Sequence, residues 1–374
     1  MTHLKEKKKK RIALTWWSTW WHIFPLLSVY KYFKEENNYD YIWVWEEESL
    51  EEEIAWINNI PFLGIPAWKI RRYFDFRNFY QPLKNLTGII FWFYYILKYK
   101  IDIVFSKWWY VSLPLCIAAF FLRKKIYIHE SDIVWWIANK IIWKLATKIF
   151  YTFPNNKTDW KKHIVTWQIL NPDLLEPIED LYIWQNEQLS ILVIGWSQWS
   201  NKIFKTLLKI LPDLKDIKFT IILWNKNVDF RKKFNKFKNI KTYDFISQKE
   251  MWSILKTIDI AITRAWATSL WELNMFGIHS LIIPLNWSAW DHQNKNALYF
   301  NEKFWSDILN EDINLKEELS KLILKYKDLR KSGLNLKHFY RSLEIIEKEM
   351  LNIKVKKEIN NNDTVIKDKS KDNT

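Results

Sequence analysis

Short apolar runs alternate with longer amphipathic stretches along most of the chain. Runs rich in β-branched and aromatic residues predict five strands in the first half: Arg11–Thr15, Tyr41–Val44, Ile101–Ser106, Lys125–His129 and Lys148–Tyr151. They predict five more in the second half: Ser190–Ile194, Phe219–Leu223, Ile240–Tyr243, Asp259–Thr263 and Ser280–Pro284. Strands that alternate with helices are typical of parallel sheets covered on both faces. The pattern therefore predicts an α/β protein with doubly wound, Rossmann-like sheets.

Helical spacing and its interruptions predict how the chain is divided. Helices are expected at Lys202–Leu211, Thr268–Phe276 and Asn335–Leu351, and proline and acidic residues break the pattern between Asn171 and Asp180. The predicted segments are a basic tail (1–10), an N-terminal domain (11–170), a linker (171–188), a C-terminal domain (189–334), a helix packing back on the N-terminal domain (335–353) and a polar tail expected to be disordered (354–374).

Composition narrows the range of partners and compartments. A net charge of +15 indicates a polyanionic partner, either anionic lipid or nucleic acid. The single cysteine, Cys116, lies in an apolar run, which predicts a buried thiol and favours a reducing cytoplasm. The longest apolar runs, Ile89–Leu97 and Leu113–Leu122, are about half the ~20 residues that a membrane span needs. We therefore expect a protein that is not integral to a membrane.

The 26 tryptophans and five glycines are in unusual proportion, because an average protein has about 7% glycine. Many tryptophans fall where a strand turns into a helix, as in Thr15–Pro25 (TWWSTWWHIFP) and Ile194–Trp199 (IGWSQW). Such turns need positive φ and close approach to a ligand, which glycine allows. One hypothesis is that UGA codons, written here as Trp, encode Gly in the source bacterium. Under this hypothesis a few tryptophans are still genuine, above all Trp43 in the strand-like run Tyr41–Val44. The alternative is that the tryptophans are real and form an aromatic binding surface.

Six segments, read with glycine at the turn tryptophans, carry a family resemblance. Besides Thr15–Pro25 and Ile194–Trp199, they are Ser106–Ser112 (SKWWYVS), His129–Lys140 (HESDIVWWIANK), Arg264–Glu272 (RAWATSLWE) and His292–Ala297 (HQNKNA). In their order along the chain, from Thr15–Pro25 to His292–Ala297, they resemble the glycine-rich, G-G-Y-V-S, H-E-(Q/S)-N…N-K, G-G-S-Q-G, R-(S/A)-G-A-(L/T)-(T/S)-x-x-E and H-Q-x-x-N-A motifs of the MurG family. Because the motifs are collinear from residue 11 to about residue 300, the resemblance is more specific than one glycine-rich turn.

The resemblance implies a GT-B glycosyltransferase, with two Rossmann-like domains facing a cleft. The implied reaction is inverting transfer of N-acetylglucosamine from UDP-N-acetylglucosamine to the muramyl 4-hydroxyl of undecaprenyl-pyrophosphoryl-MurNAc-pentapeptide. The implied catalytic residues are His22 as general base and Glu130 as a rival base or the group that orients it. The implied sugar-donor residues are Thr19, Trp20, Trp21, Asp132, Asn171, Ser197, Ile246, Ala267, Thr268, Ser269, Leu270, Trp271, Glu272, His292 and Gln293. The implied acceptor residues are Ser18, Trp108, Trp109 and Tyr110.

Elementary chemistry supports some of these roles. A helix that opens at Thr268 and Ser269 presents backbone N–H groups and a positive dipole to a diphosphate, although ordinary N-capping explains the same residues. The family uses the position of Glu272 as an acceptor for ribose hydroxyls, and an amide such as Gln293 both donates to and accepts from sugar hydroxyls. The chain contains no Asp-x-Asp, so we predict no metal and no cofactor.

Two positions depart from the family. Asn171 stands where an arginine is expected near the sugar-donor phosphates, and Asp132 stands where the family usually carries asparagine. Either change weakens binding of the sugar donor or indicates a divergent substrate. If the tryptophans are real, the loops are blocked and the chain is an inactive relative.

A lipid-linked acceptor implies a peripheral protein on the cytoplasmic face of the membrane. Basic and apolar residues are interleaved at Arg71–Arg77 and Ile89–Lys98, and Phe120–Lys125 extends the pattern, which suits an anionic leaflet. The alternative is that the aromatic residues form helix core. Two other functions stay open: glycosylation of diacylglycerol on the same fold, and single-stranded nucleic acid binding by a basic, aromatic-rich chain, although no nucleic acid partner is expected.

Overall fold

Two parallel sheets form the framework of the protein, as seen in a computed structural model. The structure describes residues 9–16, 20–35, 39–46, 50–65, 89–107, 112–134, 142–154, 162–170, 188–195, 200–223, 227–244, 246, 248–331 and 339–351. The strands of the first sheet are β1 (Lys10–Trp16), β2 (Tyr39–Glu46), β3 (Phe62–Ile65), β4 (Ile101–Lys107), β5 (Lys125–Glu130), β6 (Lys148–Tyr151) and β7 (His163–Val165). Those of the second are β8 (Ser190–Ile194), β9 (Lys218–Ile222), β10 (Ile240–Tyr243), β11 (Ile260–Thr263), β12 (His279–Ile282) and β13 (Ser306–Ile308).

Helices cover both sheets. In the first half they are α1 (Trp20–Glu35), α2 (Leu50–Ile57), α3 (89–98), α4 (Ser112–Phe121) and the short α5 (142–145). In the second half they are α6 (Asn201–Ile210), α7 (Val228–Phe234), α8 (Gln248–Thr257), α9 (Ala267–Met275), α10 (His292–Lys303), α11 (Leu315–Lys325) and α12 (Phe339–Leu351). Within these described residues, no helix is long and apolar enough to cross a membrane.

The strand orders are those of doubly wound domains. The first sheet runs β3-β2-β1-β4-β5-β6-β7 and the second β10-β9-β8-β11-β12-β13, with all neighbouring strands parallel. In each sheet the order reverses beside the first strand of the domain, which opens a crevice at the carboxyl ends of the strands. The predicted fold class is confirmed.

Each sheet has an apolar layer on both faces. In β1, Ile12 and Leu14 pack into one cluster, whereas Ala13 between them packs into the other. Ten predicted strands are present within two residues of their expected bounds, but β3, β7 and β13 were missed. Cys116 is buried, as predicted, and burial raises the pKa of its thiol to about 12.

The C-terminal helix returns to the first domain. Leu343, Ile346 and Met350 of α12 are buried in the same cluster as Ile12 and Leu14. At the end of α12, the Tyr127 hydroxyl donates to the Met350 carbonyl at 3.2 Å. The first and the last described segments of the chain therefore both pack in the N-terminal domain.

Candidate active site

The carboxyl ends of both sheets supply the polar residues that lie between the two domains. Lys107 ends β4, Glu130 ends β5, and Arg264 follows β11 just before α9 begins. Strands buried on both faces have apolar interiors, so polar side chains are concentrated where the strands end. This edge contains most of the predicted site residues that the structure describes.

Several predicted residues lie outside the described part of the chain. They are Ser18, Thr19, Trp108, Trp109, Tyr110, Asn171 and Ser197. Trp20, Trp21 and His22 form the first turn of α1, directly after β1, but their side chains are also outside it. Their predicted roles stay predictions.

No described side chain caps the N-terminus of α9. Trp266 is the N-cap residue, no side chain caps the helix, and the first internal bond runs from the Leu270 amide to the Trp266 carbonyl at 3.0 Å. The amides of Ala267, Thr268 and Ser269 therefore have no partner within the helix. Because no side chain caps α9, the capping explanation for Thr268 and Ser269 does not apply.

Three residues of the predicted sugar-donor set, Leu270, Trp271 and Ile246, have side chains that pack in the core. Leu270 is fully buried, and Trp271 stacks edge-on against Phe300 with ring centroids 5.1 Å apart. Ile246 belongs to the same apolar cluster. At Leu270 and Trp271 the motif therefore builds the core beneath the site, because successive residues of a helix point in different directions.

Two chains of hydrogen bonds join the domains at this edge. The Gln168 amide donates to the Thr268 hydroxyl at 2.9 Å, and the Thr152 hydroxyl donates to the Gln168 carbonyl oxygen at 3.0 Å. The Asn296 amide donates both to Asp132, at 3.2 Å, and to the Ala265 carbonyl, at 3.0 Å. Asp132 is thus hydrogen-bonded to the opposite domain. The asparagine that the family usually carries at this position also has a side-chain oxygen that accepts such a bond.

Four ionisable groups face one another beside these bonds. Burial lowers the pKa of Lys107, while the carboxylates of Glu272, Asp132 and Glu130 raise it. Burial also raises the pKa of Glu272, and the charge of Lys107 opposes that effect. Glu130 is buried, and its carboxylate accepts the Asp132 amide at 3.2 Å.

His129 is neutral in this environment. Burial, and to a smaller extent the nearby charge of Lys107, lower the pKa of its imidazole to about 3. Its Nε2 donates to the Trp167 carbonyl at 3.1 Å. The imidazole of His129 therefore fixes the backbone at Trp167, and its lowered pKa does not suit a general base.

His292 and Gln293 open α10 near α9. The Leu285 amide donates to the side-chain oxygen of Gln293 at 3.0 Å, which leaves the amide NH₂ of Gln293 without a partner in the described structure. The ring of His292 lies 5.7 Å from that of Trp266. Both residues are buried at the edge of the N-terminus of α9.

Arg264 of the Arg264–Glu272 motif has a structural role. Its guanidinium donates to Glu311 at 2.6 Å and to the Ile283 carbonyl at 3.1 Å. Both members of the pair are buried, with side chains 2% and 7% exposed. The pair fixes the turn between β11 and α9 to the loop after β13.

Sequence reasoning missed three contributors to this edge. Lys107 and Gln168 were part of segments compared with the family, Gln168 in the segment that ends at Asn171, but neither was given a role, and Trp167 was outside these segments. A cation at the end of an apolar strand is the one signal that sequence offered for Lys107. Among the described residues, no group of three His, Cys, Asp or Glu side chains could hold a metal ion.

Comparisons with known proteins agree with this architecture. Residues 13–151 match the glycosyltransferase family 28 N-terminal domain, and residues 190–345 match the glycosyltransferase family 28 C-terminal domain. The chain is 32% identical over 323 residues to UDP-N-acetylglucosamine–N-acetylmuramyl-(pentapeptide) pyrophosphoryl-undecaprenol N-acetylglucosamine transferase of Borreliella afzelii, covering 84% of this chain and 87% of the relative. It is 30% identical to the enzyme of the same name from Geobacillus thermodenitrificans, covering 87% and 95%.

Solved structures share the fold. The crystal structure of Acinetobacter baumannii MurG superposes with a TM-score of 0.68 at 21% identity, covering 89% of this chain and 93% of that one. A UDP-GlcNAc 2-epimerase from Neisseria meningitidis, bound to UDP-GlcNAc, gives 0.66 at 12% identity, covering 92% and 100%. The two matched domains, the sheet orders and the relatives at 30% identity and above together show that this chain belongs to the MurG family of glycosyltransferases.

Proposed function

We propose that this chain transfers N-acetylglucosamine from UDP-N-acetylglucosamine to the muramyl 4-hydroxyl of undecaprenyl-pyrophosphoryl-MurNAc-pentapeptide, a step of peptidoglycan synthesis. The observation that carries the proposal is the uncapped N-terminus of α9, where the first three amides have no partner within the helix and the Gln168 amide of the N-terminal domain donates to the Thr268 hydroxyl. Amides and a helix dipole suit a leaving diphosphate in a site without a metal. Family membership supports the substrate class.

The mechanism is a single displacement. A base takes the proton of the acceptor 4-hydroxyl, the oxygen attacks the anomeric carbon from the face opposite UDP, and UDP leaves with the bonding electrons. His22, in the first turn of α1, is the proposed base, because imidazole exchanges protons near neutral pH. Glu130 is the rival base; its buried carboxylate already accepts the Asp132 amide, which favours a positioning role.

The test is release of UDP by the purified chain, measured with the muramyl lipid and, separately, with diacylglycerol. We expect turnover with the muramyl lipid alone. His22→Ala should lower kcat by roughly 10²- to 10⁴-fold, the usual contribution of a general base. Turnover with diacylglycerol alone would refute the muramyl lipid as the acceptor. Full activity of the His22 variant would show that His22 is not the general base and would favour Glu130 in that role.

We also propose that glycine stands at several positions written as tryptophan, through reassignment of UGA. Trp167 and Trp290 support this idea, because their φ angles are 66° and 59°. Positive φ is a genuine outlier for a bulky residue but costs glycine little. Trp266 gives no such support, since its φ of −76° suits any residue. Peptide mass spectrometry of the native protein decides, and tryptophan at residues 167 and 290 would refute the idea there.

We further propose that the protein docks on the cytoplasmic face of an anionic membrane. Ile90, Phe91, Tyr94 and Leu97 of α3 are exposed, and so are Phe120 and Phe121 of α4. Phe93 and Phe121 join the two helices, with ring centroids 6.2 Å apart, and three basic residues, Arg123, Lys124 and Lys125, follow directly. The alternative, that the apolar residues of this region form helix core, explains Trp92 and Ile96, which are buried, but not the exposed residues.

A further inference from the structure

Gln168 is a buried residue whose side-chain amide crosses the interface between the two domains. Its oxygen accepts the Thr152 hydroxyl at 3.0 Å, and its NH₂ group donates to the Thr268 hydroxyl, on α9, at 2.9 Å. The next two residues pack on opposite sides of this interface, Ile169 in the apolar cluster of the N-terminal domain and Leu170 in that of the C-terminal domain. The amide is therefore held at both ends, and the direction of its bond to Thr268 decides what that hydroxyl can do.

The bond from Gln168 leaves the hydrogen of the Thr268 hydroxyl available. A hydroxyl has one hydrogen and two lone pairs, so an oxygen that accepts from Gln168 directs its own hydrogen elsewhere. Threonine hydroxyls commonly donate to backbone carbonyls three or four residues earlier. Here the carbonyl of Ala265 already accepts the Asn296 side chain at 3.0 Å, and that of Arg264 accepts two bonds, each at 3.0 Å. Within the described part of the chain, no acceptor takes this hydrogen.

The backbone amide of the same residue also lacks a partner within the helix. Thr268 is the second residue of α9, so its N–H and its hydroxyl both lie at the positive end of the helix dipole. Donors in this position suit the oxygens of a phosphate group. The helix backbone fixes the direction of the N–H, whereas a hydroxyl hydrogen rotates unless a neighbour fixes it. Gln168 is the neighbour that does so.

We propose that Gln168 is a positioning residue for the diphosphate of the sugar donor: by donating to the Thr268 hydroxyl from the N-terminal domain, it aims the hydrogen of that hydroxyl at a phosphate oxygen. The inference rests on the proposed function, in which the diphosphate lies at the N-terminus of α9. Gln168 does not touch the ligand and acts through Thr268. Because the bond joins the two domains, the direction of the hydroxyl depends on their contact at this edge.

The experiment compares a ligand that has phosphate groups with one that has none. Equilibrium affinities of the full chain are measured for UDP by calorimetry and for uridine by ligand-observed NMR. Gln168→Met removes the bond with little change in side-chain length. It should weaken UDP binding by about 3- to 10-fold, the size of one hydrogen bond, and leave the affinity for uridine unchanged. A purely structural loss weakens both ligands equally.

A double-mutant cycle shows whether Gln168 acts through Thr268. Thr268→Val keeps the shape of the side chain but removes the hydroxyl, so it should weaken UDP binding by about 10-fold or more, as expected for a hydrogen bond to a charged group. In the Thr268→Val background, Gln168→Met should have no further effect. Asn239→Leu is the control, because this amide donates to the Leu214 and Ile217 carbonyls at the opposite, amino end of the second sheet. Its loss should lower stability but leave the affinity for UDP unchanged.

Four results overturn the inference. They are an unchanged UDP affinity in Gln168→Met, an equal loss for UDP and uridine, an effect of Gln168→Met that persists in the Thr268→Val background, and a gain in UDP affinity. The gain would mean that Thr268 donates to Gln168 and is released by the substitution.

If Gln168→Met does not fold, Gln168→Leu replaces it. If neither folds, Gln168→Glu takes their place, because a carboxylate only accepts and turns the Thr268 hydroxyl away from the diphosphate. A loss of UDP affinity that is as large with Thr268→Val as without it then refutes the proposal. A wild type that binds UDP in this way but transfers no sugar to the muramyl lipid refutes the proposed function and leaves this inference standing, whereas sugar transfer together with any of the four results refutes the inference alone.

Discussion

Replacing Glu311 by glutamine should destabilise the C-terminal domain strongly. The substitution keeps the shape of the side chain but removes the negative charge that Arg264 meets at 2.6 Å. Because the arginine guanidinium carries a permanent charge in proteins, the substitution leaves this charge buried opposite a neutral amide, although the carbonyl oxygens of Ile283 and Pro284 still accept hydrogen bonds from it. Breaking one side of a buried ion pair costs about 3–5 kcal/mol.

For a domain of this size, 1 kcal/mol shifts Tm by about 2–4 °C, so we expect a fall on the order of 10 °C. The assays are urea unfolding followed by circular dichroism and hydrogen exchange at the amides of α9 and β12, which the pair holds in place. Faster exchange should be confined to these elements at low urea.

Asp312→Asn is the matched control, because Asp312 is the next residue and its partner Lys202 is about half exposed. Exposed pairs contribute little to stability, so no measurable change is expected. The double variant Arg264→Met/Glu311→Leu should recover much of the loss, since no buried charge remains. If Glu311→Gln unfolds like Asp312→Asn, the pair is not a buried ion pair in solution and the reasoning fails.

The remaining predictions concern three other regions. Burial holds the pKa of His129 at about 3, below its ordinary value of 6.5, so the stability that comes from its neutral form is fully present above pH 6.5 and is lost as pH falls towards 3. The free energy of unfolding of His129→Gln, measured with urea, should therefore depend less on pH between 3 and 6.5 than that of the wild type. An identical pH dependence would contradict the lowered pKa. Cys116 should resist thiol reagents at pH 8 and react only when the protein unfolds, because burial raises the pKa of its thiol to about 12; rapid labelling of the native protein would show that α4 opens. Phe91→Ser/Phe121→Ser should weaken sedimentation with vesicles rich in phosphatidylglycerol, whereas Trp56→Ser, which alters an indole that is 80% exposed on α2, should not; equal binding by both variants would argue against docking through α3 and α4. Ile346→Ala should cost about 2–5 kcal/mol of N-terminal-domain stability, because Ile346 is fully buried against that domain; a loss confined to the C-terminal domain would contradict the packing of α12.

The sequence predicted every strand that lies inside the sheets but only one of the four edge strands, β10. Inner strands such as Ser190–Ile194 are fully buried and almost entirely apolar, because helices cover both faces of the sheet, so they differ clearly from the surrounding sequence. The missed strands β3, β7 and β13 each lie at an edge and have only three or four residues. Too few residues remain in such strands for periodicity to distinguish them from loops.

Motifs located the candidate site but not the directions of its side chains. The Arg264–Glu272 segment was correctly predicted to open a helix, yet Leu270 and Trp271 face the core. The contact between Asp132 and Asn296 joins residues 164 positions apart, and no local pattern encodes it. The charged neighbours of Lys107 likewise include Glu272, which is 165 positions away and on the opposite domain.

The return of α12 has a consequence for synthesis on the ribosome. The first domain to emerge lacks Leu343, Ile346 and Met350 until translation has passed the second domain. At about 5–20 residues per second, the surface that receives α12 stays uncovered for roughly ten seconds or longer while the second domain is made. The domain that is translated first is therefore completed only after the second domain has been synthesised.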